Sequence, residues 1–155
     1  MVLDTLGMKQ PLFGLKLKPK LCAAGVQLRE QIDTWFPGRS LRSEGWLGDS
    51  RHAARKSDHN PDQHGWVRAI DVDASLGQPE GIAAYLADQI RIAAKTDKRL
   101  SYVIFSHHIA SKLLNYKWRR YKGINPHTKH IHISFTKAGD ADSKPFDIPL
   151  IGGKI

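Results

Sequence analysis

The sequence predicts an α+β fold in which a small, mostly antiparallel sheet is flanked by helices. Three observations carry this. From His130 to Phe135 the chain reads HIHISF, with Ile131, Ile133 and Phe135 alternating with His130, His132 and Ser134. A period of two is that of a half-buried β-strand. Two further short segments have strand character: 67–73, where Ile70 and Val72 alternate with Ala69, Asp71 and Asp73, and the apolar run Tyr102-Val103-Ile104-Phe105. Between them lie two stretches whose apolar residues recur every three or four positions, as on one face of a helix. The order helix, loop, strand, helix, strand, strand favours a mixed domain over an alternating parallel one.

Taken in order, residues 1 to about 18 have weak periodicity, broken by Gly7, Pro11 and Gly14, and read as an arm. Pro19 then stands where a first helix begins. Leu21, Ala24, Leu28, Ile32 and Trp35 form its apolar stripe, and Pro37-Gly38 stops it. Residues 39–66 are rich in turn formers and form an irregular loop, a plausible wall for a site. Trp46 and Trp66 suit either a groove or the core. Gln78-Pro79-Glu80 opens a second helix with Ile82, Leu86, Ile90 and Ala93 or Ala94 on one face. The run Tyr102 to Phe105 is a central strand, with His107-His108 just past its end. Gly123-Ile124-Asn125-Pro126 is a turn that leads into the histidine strand. Residues 137–155, rich in Gly, Asp and Pro, read as a loosely structured tail.

The chain has 155 residues, the length of one domain, and no internal repeat. Its 24 Lys+Arg against 15 Asp+Glu give a net charge of +9, which favours polyanionic partners such as nucleic acid, an anionic membrane surface or an anionic cell wall. Cys22 is the single cysteine, so no disulfide framework exists and the thiol is expected to be a small buried hydrophobe. Asp4, Lys9 and Pro11 interrupt the N-terminus, so no signal peptide is expected and synthesis is assigned to the cytoplasm. No stretch approaches the ~20 apolar residues of a membrane span. The expected state is a monomer.

The chemistry concentrates in two clusters. His127, His130 and His132 fall within six residues, and a strand puts His130 and His132 on one face. Upstream, Ser57-Asp58-His59-Asn60-Pro61-Asp62 supplies a histidine on a turn-rich segment, followed by Asp71 and Asp73 inside an apolar strand. A carboxylate there is costly unless it is paired or binds a metal. A histidine, a strand aspartate and a distant histidine suit a three-ligand zinc site with one position open to water.

Together these clusters resemble the M15 family of zinc peptidases, the D-Ala-D-Ala carboxypeptidases and L-alanyl-D-glutamate endopeptidases of the Hedgehog/DD-peptidase fold. The family's first motif, Ser-x-His then Gly then Ala-x-Asp, is matched by Ser57-Asp58-His59, Gly65 and Ala69-Ile70-Asp71. The His-x-x-His-x-His of its Streptomyces-type carboxypeptidase branch is matched by His127, His130 and His132. The wording also resembles the peptidase domains of actinobacterial phage endolysins. The likeness covers roughly residues 40–136. It implies one Zn2+ held by His59, Asp71 and His132, with His130 and His127 as acid/base or transition-state groups. It implies an upstream arginine on the substrate, Arg51 or Arg42, with Arg51 preferred. It further implies peptidoglycan as the partner and cell-wall lysis as the role. Two departures stand out. Eleven residues separate His59 and Asp71, more than the family's usual gap, so an insertion falls around Asp62-Gln63-His64 and Asp73 competes with Asp71 as ligand. Lys129 occupies the position where many members carry a catalytic carboxylate.

The rivals are a metal-dependent nuclease or phosphoesterase and a wall-binding module that keeps zinc for structure alone. The sequence lacks a second carboxylate cluster for a two-metal site and a basic-aromatic stripe, so no nucleic-acid partner is expected. The two-histidine phosphoesterase pattern appears once, in His132-Ile133-Ser134, where two copies are needed.

Overall fold

The structure is a computed structural model that describes residues 17–48, 56–77 and 79–154. The fold is α+β. Among these residues, five strands form one antiparallel sheet: β3 (Ala69–Asp73), β4 (Leu100–Phe105), β5 (His108–Ser111), β6 (Arg119–Arg120) and β7 (His130–Phe135), in the order β3-β7-β4-β5-β6. Two very short strands, β1 (Lys20–Leu21) and β2 (Trp66–Val67), pair in parallel beside it. Two helices, α1 (Ala23–Trp35) and α2 (Ile82–Ala94), cover one face.

Alternation explains the layering. On one face Ile70, Val72, Val103, Ile131, Ile133 and Phe135 are buried in the core with Leu28 and Ile32 of α1 and Leu86 and Ile90 of α2. The other face carries Asp71, His130, His132, Ser134, Tyr102 and Ile104. Registers put Asp71 opposite His132, Asp73 opposite His130, and Tyr102 opposite Ser134. Between Leu100 and Tyr102 the register slips. Such an irregularity re-aims side chains. Leu100 stays opposite Phe135 on the core side, while Tyr102 turns to the histidine side.

Three expectations need correction. The first helix does not begin at Pro19: Lys20 and Leu21 are a strand, Cys22 is the helix N-cap residue, and Trp35 is 55% exposed. Two backbone bonds, Lys20 N–H to Gly65 O and Cys22 N–H to Val67 O, hold this segment extended. The segment 137–154 has little regular structure but is not loose. Phe146, Ile148 and Ile151 are fully buried, and the Gln31 amide donates to the Phe146 and Ile151 carbonyls while accepting the Phe146 N–H. Its turn-forming composition sets backbone shape, while its apolar residues decide burial. Last, Tyr102 to Phe105 is only part of a longer central strand that turns back through Ser106 and His107 into β5. Of the expected arm, residues 1–16 lie outside the described residues.

Cys22 is completely buried, and burial pushes its thiol pKa up to about 11. It is an inert core residue. Among the described residues no helix is long and apolar enough to cross a membrane.

Candidate metal centre

The histidine face of the sheet forms the floor of a cleft of about 410 Å³. Asp71, His130 and His132 lie on that floor with Tyr102 and Ile104, and His59, Tyr121, Ile124, Asn125 and His127 come from the surrounding loops.

At its centre three donor atoms converge. His132 Nδ1 lies 3.2 Å from Asp71 Oδ1 and 3.2 Å from His59 Nε2, and His59 Nε2 lies 3.3 Å from Asp71 Oδ1. These spacings match the ~3.3 Å edge of a tetrahedron with bonds of about 2.0 Å, the length of zinc–nitrogen and zinc–oxygen bonds. His59, Asp71 and His132 can therefore hold a metal ion.

Each ligand has its own support. The loop 39–48 is fixed by Arg39, whose buried guanidinium forks between Asp33 and Glu44 at 2.7–2.9 Å. Gly45 then pairs with Asp71 through two backbone bonds. The Trp46 carbonyl accepts from His59 Nδ1–H at 2.9 Å, so the other ring nitrogen of His59 faces Asp71 and His132. Gly48 N–H bonds the His59 carbonyl. The residues between His59 and Asp71 include a turn closed by Asp62. Its carboxylate accepts the His64 and Trp66 N–H groups and the Arg68 guanidinium, which also grips Asp140. Gly65 has φ +88°, and a Cβ there would come within 3.0 Å of the Lys18 carbonyl. Behind His132, its Nε2 meets Ser134 Oγ at 2.7 Å. Ser134 Oγ donates to Asp58 Oδ2 at 2.9 Å, and Tyr102 OH donates to the same oxygen at 2.7 Å.

The electrostatics suit a cation. Burial works to raise the Asp71 pKa, but His132 and His59 outweigh it and hold the carboxyl well below the usual range. Burial works against charge on His59, yet Asp71 and the Trp46 carbonyl lift its pKa above the ordinary imidazole value. At His132 burial outweighs Asp71 and lowers the pKa below the ordinary imidazole value. Burial, reinforced by His132 and His130, lowers His127 to about 4.

The other residues singled out in the sequence separate cleanly. Asp73 is not at the metal centre. Its carboxylate accepts the backbone N–H groups of Ser43 and Ser75 at 2.8 Å and the Ser40 hydroxyl at 3.2 Å, bracing the loop 40–43. His130 Nε2 lies 3.7 Å from Asp71 Oδ1 at the edge of the cluster. His127 is buried with φ +58°, its ring packs edge-on against His130, His132 and Tyr121, and its buried Nδ1 has no hydrogen-bond partner. Arg51 lies outside the described residues. Arg42 is exposed and is not among the residues lining the cleft. Trp46 and Trp66 are partly buried against the core, and His107 and His108 are exposed on the β4–β5 hairpin.

Sequence reasoning gave Asp58, Tyr102, Ser134 and the Trp46 carbonyl no role at this site. Alternation set Ser134 beside His130 and His132 without assigning it one. A backbone carbonyl, a neighbouring strand's register and an exposed loop aspartate leave no such trace. No family model, curated protein or solved structure matches this chain.

Proposed function

We propose that this chain is a zinc-dependent peptidase that hydrolyses an amide bond in the stem peptide or crosslink of peptidoglycan, in the manner of a phage endolysin. One observation carries the reading: the tetrahedrally spaced donor set of His59, Asp71 and His132 lies on the floor of an open cleft, with two further histidines beside it. The M15-like motifs name the same three residues. Both ring-nitrogen donors and the carboxylate suit Zn2+.

A zinc ion bound there would supply Lewis acidity to a carbonyl oxygen and lower the pKa of a water molecule to about 7. The chain's own groups do the rest. Asp71 stays ionised and balances the cation. His130, at the rim of the cluster, is placed to take a proton from water and pass it to a leaving amine. His127, neutral at neutral pH, lines the cleft beside His130 and His132. Arg51 is the proposed anchor for a substrate carbonyl or carboxylate. The net charge of +9 draws the protein toward an anionic wall.

The test is zinc content and lysis of purified peptidoglycan, for the wild type and His132→Ala, with and without chelator. One zinc per chain, lost together with lysis in the variant, is the expected result. Full lysis by a metal-free protein would overturn it. Zinc without wall hydrolysis would point to a structural zinc module, and DNA cleavage without lysis to a nuclease.

A further inference from the structure

The groups behind His132 decide which of its nitrogens carries the proton. A carboxylate oxygen accepts hydrogen bonds and does not donate them. The Ser134 hydroxyl has a single proton, and it goes to Asp58 Oδ2. Toward His132, Ser134 Oγ can then only accept, so the neutral imidazole must carry its proton on Nε2. That leaves a lone pair on Nδ1, the atom 3.2 Å from both Asp71 Oδ1 and His59 Nε2. Without a metal ion the opposite tautomer has its own attraction, because Nδ1–H would donate to the Asp71 carboxylate. The hydroxyl relay works against that alternative and keeps the site ready for a cation.

We propose that Asp58 and Ser134 are positioning residues that select the metal-binding tautomer of His132. The proposal rests on the reading of His59, Asp71 and His132 as metal ligands. Tyr102 serves the same relay from the neighbouring strand. Its hydroxyl donates to the same Asp58 oxygen, and its ring stacks on His132 at 5.5 Å between centroids. Asp58 is exposed, so it acts from the surface on a ligand that is itself buried.

The roles of the two residues predict distinct variants. Asp58→Ala leaves the Ser134 hydroxyl free to rotate and donate to His132 Nε2, which favours the Nδ1–H form. Ser134→Ala removes the acceptor altogether, so metal binding would strand a buried Nε2–H. Groups of this kind typically change metal affinity by about 10- to 100-fold.

Two measurements on the full chain test this. The first is zinc affinity by competition with a chromogenic chelator for the wild type, Asp58→Ala and Ser134→Ala. The second is the tautomer of His132 in the metal-free proteins at neutral pH, from long-range 1H–15N spectra of histidine-labelled samples. The expected result is Nε2–H in the wild type, a shift toward Nδ1–H in both variants, and a loss of zinc affinity of about 10-fold or more. Asp58→Ala truncates an exposed side chain and opens no cavity, so it stays informative if Ser134→Ala folds poorly. Wild-type affinity and tautomer in Asp58→Ala would overturn the proposal. A wild type that binds no zinc would overturn the ligand reading beneath it, and that failure shows before any variant is compared.

Discussion

Two aspartates two residues apart on one strand have different tasks, and single substitutions separate them. Asp71 contributes an oxygen to the donor set, while Asp73 accepts two backbone N–H groups and a hydroxyl from its neighbouring loops. On the proposed zinc reading, Asp71→Ala is expected to abolish metal binding. Asp73→Ala should lower the unfolding free energy by about 1–2 kcal/mol and leave zinc stoichiometry unchanged; chemical denaturation and metal analysis of both variants check this. His127 supplies a pH signature. Its folded pKa of about 4 lies below the ordinary value of 6.5, so the folded state favours the neutral ring. Between those pH values the unfolded chain binds more protons, and its stabilising contribution is full above 6.5 and lost as pH falls toward 4. The raised His59 acts in the opposite sense, its contribution fading as pH rises through its folded pKa. In metal-free protein, His127→Asn, which tolerates the positive φ, should flatten the loss of stability between pH 6.5 and pH 4. The difference is at most roughly 3 kcal/mol, read from denaturation at each pH.

At the scale of elements, the sequence was legible wherever a period was long enough to see. The stripe of Ile82, Leu86 and Ile90 forms α2, and the alternation from His130 to Phe135 forms β7 with its histidines on one face and its apolar residues in the core. Alternation put Asp71 and His132 on strand faces that can be counted, but it ranked Asp73 and His130 equally with them; the set of His59, Asp71 and His132 came from the motif resemblance. What alternation could not show was a two-residue turn. Phe105 pairs with His108, and Ser106 and His107 between them have φ of +48° and +67°. Hairpins of that shape usually announce themselves with Asn-Gly or Asp-Gly; here Ser-His holds the conformation because its backbone is anchored. Ser106 N–H bonds the His127 carbonyl, His107 N–H bonds the Pro126 carbonyl, and the His107 carbonyl accepts from Tyr121 N–H. The tertiary bonds hold the turn against its local preference. His107→Gly should therefore raise stability by up to about 1 kcal/mol, measurable as a higher melting temperature. The register slip that turns Tyr102 onto the histidine side was hidden too, because it depends on which strand pairs alongside.

For the whole molecule, the helix layer and the sheet make a single core, and that core is closed by its last segment. Phe146, Ile148 and Ile151 are buried among residues from both helices and the sheet. Removing everything after Asp142 strips three large apolar side chains, worth roughly 5 kcal/mol or more together, and leaves Gln31 without its backbone partners. Since small domains are stable by only about 5–15 kcal/mol, the truncated chain is expected to lose its cooperative thermal transition; calorimetry or circular dichroism on the shortened protein decides it. Composition misled here because turn-forming residues describe how a segment bends and say little about what it covers.

The same closure bears on how the molecule is made. A ribosome releases its product from the front, and domains ordinarily begin folding as soon as enough chain has emerged. In this protein the helices and strands of the described residues are all translated before the segment that seals them. A nascent chain halted short of residue 151 would carry the donor set of His59, Asp71 and His132 on a sheet whose core is still open. Completion of the candidate donor set is thereby deferred until this closing segment has been made, however early its three residues are translated.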